Sequence, residues 1–420
     1  MNNLDRWLIR VPPAPTASER GMTCYGEQPS SSPLEPLNLN VPNAKRQKLS
    51  ASQPSSAGSP LRKQKPLPSA FTAKNLLLQG KYAPKEVFYQ YEGRKMAQTQ
   101  QVSLTQVPFV VTGLNSVPRN LVGFQNGKMA VMNAQKGCEG LLLDEKSVVP
   151  GSAIRDLSVA ADDSTLLCGS EVGIAIYDIN TSQVAQNFNP DDDVGFRQVR
   201  YSPASSSIFA TGTQSGNVYF MDIRTQQPLR KIMNAHRADK YTSAQISAIA
   251  WMDDNLLATA SSGSDIVKVW DLRHARKCLN QTPQIKRAGI ASMVMDDSGH
   301  LWALRRGGGL FASSLNGHVS ELSSAHLKPT SSYSRVEFIK SSSLEGNYLA
   351  CSGENGITLF VCPSKKAIVN GYDVSCTAVL LKGHRRECTS ITWQPNTDSL
   401  MSVGDDFTLR YWQVRQYPDT

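Results

Sequence analysis

The sequence predicts an all-β fold, a seven-bladed β-propeller preceded by a disordered N-terminal tail. After about residue 105, seven segments share one pattern: an apolar strand, a turn of small residues and a second strand. These segments are 121–132, 166–177, 208–221, 256–270, 301–312, 348–361 and 400–412. They end 42 to 51 residues apart, a period typical of four-stranded propeller blades. None shows the i, i+3, i+4, i+7 apolar spacing of a helical repeat.

The N-terminal region has a different composition. Residues 1–70 hold 11 of the 23 prolines and ten serines, and Phe71 is the first phenylalanine. Such a segment buries too little apolar surface to offset its ordering entropy, so we predict disorder. We divide the chain into this tail (1–70), a lead-in that packs on or closes the propeller (71–104), the propeller (105–416) and a short end (417–420). The first repeat lacks a strand of its own before residue 105. We therefore expect part of 71–100, or the extreme C-terminus, to close the ring.

Charge and cysteine usage restrict the function. Residues 1–74 hold ten Lys or Arg and four Asp or Glu, which is +6 of the chain's net charge of +9. The basic balance belongs mainly to the tail and does not imply a nucleic-acid surface over the whole domain. The eight cysteines form no Cys-x-x-Cys pair, which favours reduced core thiols in an intracellular compartment. No apolar run is long enough for a membrane span.

No catalytic signature occurs in the sequence, so we predict a non-enzymatic protein without cofactor or metal. The glycines at 307–309 fall in the turn of the fifth repeat, where a backbone turn explains them better than a phosphate site. The acidic run at 191–193 lies between two repeats and indicates a solvated loop rather than a calcium site.

Two blades resemble the WD40 type of propeller. Gly383 and His384 precede the strand 390–393, and Asp406 lies six residues before Trp412. In WD40 blades such a His, Ser, Asp and Trp form one hydrogen-bonded chain, which gives His384 a structural role. Trp270-Asp271 matches the dipeptide for which the repeats are named.

Two consecutive repeats end in an apolar residue, Asp, any residue and Arg. The pairs are Asp222 with Arg224, after Met221, and Asp271 with Arg273, after Trp270. This pattern places each arginine just past the third strand, on the bottom rim. A guanidinium there either binds a carboxylate of a second protein in fork geometry or forms a local pair that stiffens its turn.

Residues 246–273, 334–361 and 380–415, with Ala235-His236 opening the second arginine-bearing repeat, resemble the denticleless family. Its members are WD40 substrate receptors of cullin-4 RING ubiquitin ligases. The resemblance implies that Asp222, Arg224, Trp270, Asp271 and Arg273 dock on the damaged-DNA-binding adaptor of the ligase. It also implies degradation of cell-cycle and licensing proteins presented on the sliding clamp PCNA during replication. Met221, in place of tryptophan, departs from the family pattern.

The tail carries three short motifs. The run Arg6, Trp7, Leu8, Ile9, Arg10 fits a clamp-binding pattern, an aromatic-aliphatic plug flanked by cations. Lys45, Arg46 and Lys48 form a candidate nuclear localisation signal, which predicts a nuclear protein. Ser59, followed by proline, fits a cyclin-dependent kinase site.

Basic residues are also expected on the top face, where loops commonly carry function. We hypothesise a basic rim that meets acidic clamp or degron surfaces; scattered solubilising charge is the alternative. The rim consists of Arg155, Arg197, Lys240, Arg305, Arg306, Arg335, Arg385 and Arg386.

Two further functions remain open at this point. A chromatin- or DNA-binding propeller would use the basic tail, and its binding would fall steeply with salt. An activator of the anaphase-promoting complex is the other, since Asp5-Arg6-Trp7 resembles that group's N-terminal box, although the match ends at Trp7.

Overall fold

A computed structural model describes most of the chain from residue 94 onward. The described residues are 94–133, 142–237, 242–274, 277–282, 284, 288–313, 319–322, 324, 327–329, 333–341, 346–354, 356–363 and 378–416. Within them the chain forms 28 strands in seven four-stranded antiparallel sheets, which confirms the predicted seven-bladed propeller. The predicted tail and residues 71–93 lie outside this part. No helix in the described part is long and apolar enough to cross a membrane.

Each sheet is one blade, and its strands are given from the inner to the outer edge. Blade 1 consists of β2 (Pro108–Gly113), β3 (Arg119–Phe124), β4 (Lys128–Asn133) and β5 (Leu142–Ser147), and blade 2 of β6 (Ile154–Val159), β7 (Thr165–Ser170), β8 (Ile174–Asp178) and β9 (Gln183–Phe188). Blade 3 consists of β10 (Gln198–Ser202), β11 (Ser205–Gly212), β12 (Val218–Asp222) and β13 (Arg230–Ile232). Blade 4 consists of β14 (Ile246–Trp251), β15 (Leu256–Ser261), β16 (Ser264–Asp271) and β17 (Cys278–Gln281). Blade 5 consists of β18 (Ile290–Met295), β19 (Leu301–Arg305), β20 (Leu310–Ser313) and β21 (Val319–Leu322). Blade 6 consists of β22 (Val336–Lys340), β23 (Asn347–Gly353), β24 (Gly356–Val361) and β25 (Ala378–Leu381). Blade 7 consists of β26 (Cys388–Gln394), β27 (Ser399–Gly404), β28 (Thr408–Gln416) and β1 (Arg94–Ser103). One-turn 3-10 helices occupy Pro190–Asp192, Leu272–His274 and Pro395–Thr397.

The first strands of the blades form a closed inner ring. β2, β6, β10, β14, β18, β22 and β26 contact one another in turn, and β26 contacts β2. We define the top face as the one that carries the loops entering each blade. The turns between the second and third strands lie on the same face. The opposite face is the bottom face.

The seven sequence repeats fall on the second and third strands of the seven blades. These strands are buried on both sides, as in β27, where all six residues are buried. Seven apolar clusters fill the seven gaps between neighbouring blades. Because each gap is shared, every blade depends on its two neighbours for its core.

Part of the predicted lead-in closes the ring, but it does so at blade 7 and not at blade 1. Blade 1 has four strands of its own, whereas blade 7 takes its outer strand from β1. β1 pairs with β28 from Arg94↔Gln416 to Ser103↔Thr408. Two distant parts of the chain therefore share one sheet, and Met96 of β1 is buried between blades 6 and 7.

Blade 7 contains the predicted WD40 hydrogen-bonded chain. His384 Nδ1 lies 2.9 Å from Asp406 Oδ1, and its Nε2 lies 2.7 Å from Ser402 Oγ, which accepts from Trp412 Nε1 at 2.9 Å. Burial opposes ionisation of Asp406, but hydrogen bonds from His384 and the Arg385 N–H hold its pKa below the usual value. In blade 4 the chain is shorter, because Thr259 joins His236 and Trp270.

Candidate functional site

The first arginine lies at the end of the third strand of blade 3, on the bottom face. β12 ends at Asp222, whose carboxylate accepts from the backbone N–H of Arg224 at 3.0 Å and from its Nε at 2.9 Å. Nη2 of Arg224 completes the fork at 2.6 Å. Between them, Ile223 donates its N–H to the Ser207 carbonyl and packs on the core. The turn is thus fixed by backbone and side chain together.

Blade 4 repeats this arrangement. Asp271 accepts from the backbone N–H of Arg273 at 2.9 Å, from Nε at 3.0 Å and from Nη2 at 2.9 Å. Leu272 donates its N–H to the Asn255 carbonyl and packs on the core. We call Asp222–Arg224 and Asp271–Arg273 the arginine forks, and they lie on neighbouring blades.

A third copy of the turn occurs in blade 2 without an arginine. Asp178 accepts from the N–H of Asn180 at 2.8 Å and from that of Thr181 at 3.0 Å. Ile179 donates its N–H to the Ser164 carbonyl, as its counterparts do. In the sequence, Asp178-Ile179-Asn180 has the aspartate of this turn without the arginine of the Asp-x-Arg motif. The aspartate therefore belongs to the turn, and the arginine is an addition of blades 3 and 4.

The forks leave their arginines accessible. The side chains of Arg224 and Arg273 are 71% and 65% exposed, whereas those of Asp222 and Asp271 are 7% and 15% exposed. The hydrogen bonds from Arg273 lower the pKa of Asp271 to about 2, and Arg224 lowers that of Asp222 in the same way.

The local pair and partner binding are compatible in this geometry. A guanidinium has five N–H donors, and each fork uses the edge formed by Nε and Nη2. Nη1 and the remaining Nη2 proton are left for a second carboxylate. Because the buried aspartate fixes the side chain, less rotamer entropy is lost when a partner binds.

The tryptophan of the second motif does not reach the surface. Trp270 is 6% exposed, and its Nε1 donates to Thr259 Oγ1 at 2.8 Å. Met221, at the same position of blade 3, is fully buried. Both side chains therefore lie in the blade core, next to the aspartates of the forks.

On the top face, the members of the predicted basic rim differ in burial and in their partners. Arg305 and Arg335 are buried and do not project from this face: Arg305 contacts Asp265 and Glu321, and Arg335 contacts Asp156. Arg155 and Arg197 share Glu171, at 2.9 and 3.0 Å. The other members differ in exposure or lie outside the described residues. Arg385 and Arg386 are exposed, Arg306 is half-buried, and Lys240 is not described.

A buried charged cluster lies at the centre of the ring. Asp156 on β6 accepts hydrogen bonds from Arg200 on β10 and, at 2.8 Å, from Nη2 of Arg335 in blade 6. Blades 2 and 6 are not neighbours, so the Asp156–Arg335 pair crosses the axis of the propeller. Burial raises the pKa of the adjacent Glu337 to about 7.

Arg155 lies on the top-face side of this cluster, near the axis of the propeller. Its guanidinium lies 4.8 Å from the ring centre of Phe109 and 5.2 Å from that of Tyr333. Nη1 donates to the Tyr333 hydroxyl at 2.6 Å. The side chains of blades 1, 2 and 6 therefore meet at the axis, and Arg155 stabilises the ring.

The acidic run between blades 2 and 3 is held by hydrogen bonds and an ion pair. Asp193 accepts from Ser215, Asn217 and Tyr219, and Asp191 pairs with Lys231 at 2.6 Å. Among the described residues no group of three or more His, Cys, Asp or Glu could hold a metal ion.

The predicted tail motifs lie outside the described residues. They are Arg6, Trp7, Leu8, Ile9 and Arg10 of the clamp motif, Lys45, Arg46 and Lys48 of the localisation signal, and the kinase site at Ser59.

Comparisons with known proteins agree with the fold. A family model described as WD domain, G-beta repeat, matches residues 374–413, which include most of blade 7. Together with the His384 chain, this match identifies a WD40 repeat in blade 7, within a seven-bladed β-propeller.

The chain is similar to the denticleless proteins, which confirms the resemblance seen in the sequence. It is 22% identical over 268 residues to a denticleless protein homolog of Gallus gallus, covering 53% of this chain and 35% of the relative. It is 24% identical to denticleless protein homolog A of Xenopus laevis, with 52% and 35% coverage, and 22% identical to the Homo sapiens homolog, with 52% and 34%. The matched region thus spans about a third of the length of these relatives.

Proposed function

We propose that this chain is the non-catalytic substrate-recognition subunit of a cullin-4 RING ubiquitin ligase. The arginine forks of blades 3 and 4 dock on the damaged-DNA-binding adaptor of that ligase. The observation that carries the proposal is the pair of matching, exposed guanidinium groups, each held by a buried aspartate. The similarity to denticleless proteins supports the choice of ligase.

Two fixed guanidinium groups on adjacent blades suit an acidic partner surface. Charge-assisted forks of this kind bind carboxylates with strict geometry, and arginine is among the residues that dominate binding energy at interfaces. Leu229, 51% exposed at the base of blade 3, adds an apolar contact on the same face.

The double variant Arg224→Ala/Arg273→Ala is expected to bind the purified adaptor roughly 1,000-fold more weakly, because hot-spot arginines contribute about 2 kcal/mol each. Isothermal titration calorimetry on the full chain measures this change. The melting temperature should stay within a few degrees, because both side chains are largely exposed.

The matched control is Arg119→Ala/Arg237→Ala, which removes the same charge from two exposed arginines of blade 1 and the loop before blade 4. Its adaptor affinity should equal that of the wild type. Equal affinities for all three proteins would remove the docking proposal.

We further propose that the chain acts in the nucleus and that the tail motif Arg6–Trp7–Leu8–Ile9–Arg10 couples it to PCNA during replication. The support is the motif itself: an aromatic-aliphatic plug flanked by cations suits an apolar pocket with an acidic rim.

Trp7→Ala in the full chain is expected to weaken PCNA binding at least tenfold, since a buried tryptophan anchor typically contributes more than about 1.4 kcal/mol. Surface plasmon resonance with immobilised PCNA measures the effect, and adaptor binding on a second surface should not change. If PCNA binds both proteins equally, the tail motif is not the clamp contact.

A further inference from the structure

The turn between β27 and β28 in blade 7 contains a strained aromatic residue. Phe407 has φ +58°, in the left-handed region that bulky side chains avoid, and it is 40% exposed. A buried aromatic could recover such strain through packing, but Phe407 belongs to none of the apolar clusters between the blades.

The same repeat position is glycine in four of the six other blades, whereas Val172 and Asp265 occupy it in blades 2 and 4. Counted five residues before the end of each repeat, the position is Gly127, Gly216, Gly307 and Gly356 in blades 1, 3, 5 and 6, with φ of +77°, +82°, +79° and +121°. In these four blades the turn places a left-handed residue here, and glycine supplies that conformation without strain. Blade 7 places phenylalanine there and loses folding free energy, a pattern that concentrates at functional sites.

Two arginines lie beside this turn. The loop that enters blade 7 is tied to it, because the Arg385 N–H donates to Asp406 Oδ2 at 2.9 Å and the Asp405 N–H donates to the Glu387 carbonyl at 3.0 Å. Arg385 and Arg386 are both exposed. An exposed aromatic flanked by arginines has the composition of a binding hot spot.

We infer that Phe407, Arg385 and Arg386 form a docking site for a protein segment in which an apolar side chain is followed by carboxylates. Lys382, also exposed, adds to the positive charge at this place. Asp405 and Glu387 are half-buried and the Asp406 side chain is buried, so the charge that reaches solvent is mainly positive. These acids would nevertheless repel a continuous phosphate backbone, which favours an acidic peptide over nucleic acid. The site lies on the top face and does not depend on adaptor docking at the bottom face.

The test uses the full chain and an array of 14-residue peptides. Each peptide carries one Leu or Phe followed by two to four Asp or Glu in Gly/Ser filler, and matched versions lack the apolar residue or replace the acids with Lys. The wild type should bind the apolar-acidic peptides above both matched versions. Phe407→Gly and Arg385→Ala/Arg386→Ala should each weaken the best peptide at least tenfold in fluorescence anisotropy.

Phe407→Gly also separates binding from folding. Because glycine removes the backbone strain, its melting temperature should equal or exceed that of the wild type while binding is lost. The matched control is Val172→Gly, since Val172 is 58% exposed at the same repeat position of blade 2. This control should retain full peptide affinity.

Three outcomes would overturn the proposal. The first is equal binding of all peptide classes or unchanged affinity in Phe407→Gly. The second is a lower melting temperature of Phe407→Gly, checked by the same fall in Phe407→Asn. Such a fall would show that the Phe407 side chain stabilises the fold by packing. The third is binding of a 20-nucleotide oligo-dT that depends on Phe407 while the acidic peptides do not bind, which would assign the site to single-stranded nucleic acid.

Discussion

Asp156→Ala is expected to lower the free energy of unfolding by about 3–5 kcal/mol, because it leaves the buried Arg335 and the half-buried Arg200 without their shared carboxylate. Asp156 is 1% exposed and binds Arg200, Arg335 and the Val199 N–H. Its loss removes the link between blades 2 and 6 and places two like charges together at low dielectric. The effect is large because total domain stability is only about 5–15 kcal/mol.

Urea unfolding at pH 8, followed by tryptophan fluorescence, measures this loss. Glu337→Gln is the matched control, since it removes a second carboxylate of the same cluster. Burial raises the pKa of Glu337 from 4.5 to about 7, so keeping it ionised at pH 8 costs stability in the folded state. Glutamine abolishes that cost, and the control should be neutral or more stable. A stability of Asp156→Ala within 1 kcal/mol of the wild type would contradict the role given to the cluster.

Removal of residues 1–103 is expected to lower the free energy of unfolding by roughly 5 kcal/mol or more, because blade 7 loses its outer strand. The deletion removes the hydrogen-bonded pairing of β1 with β28 and the buried side chain of Met96. It also exposes the edge of β28, which invites strand pairing between molecules.

Removal of residues 1–93 is the control, because β1 remains in place. Light scattering and the urea midpoint compare the two truncated chains. The shorter truncation should behave like the full chain, whereas the longer one should unfold at lower urea concentration and aggregate. Matching midpoints would mean that β1 does not hold the ring closed.

The repeats could be predicted from sequence because they are the most constrained part of each blade. Many second and third strands are buried on both faces, as β7 and β27 are, so they are rich in apolar and small residues. The strand that closes the ring carries no such signal. The sequence of β1 is RKMAQTQQVS, which is largely polar, and its Met96 is buried. Its partner is fixed by register with β28, which composition does not reveal.

The candidate site was predicted in part for a similar reason. Each arginine fork joins residues two positions apart, so Asp-x-Arg is visible as a motif. The ion pairs that bury Arg305 and Arg335 join residues far apart in sequence: Arg305 contacts Asp265, and Arg335 contacts Asp156 in another blade. Local pattern identifies a charge but not its long-range partner. Both arginines therefore resembled surface residues until the fold brought their acids together.

The shared sheet of blade 7 also sets the order of events during synthesis. Ser103 emerges from the ribosome 305 residues before its partner Thr408. At about 5–20 residues per second, roughly 15–60 seconds separate them. Six blades can stack during that interval, but the ring cannot close until the last one is made. Closure is then a single long-range search, whose entropic cost makes it slow. The newly made propeller therefore waits as an open arc until β1 and β28, its two ends, join.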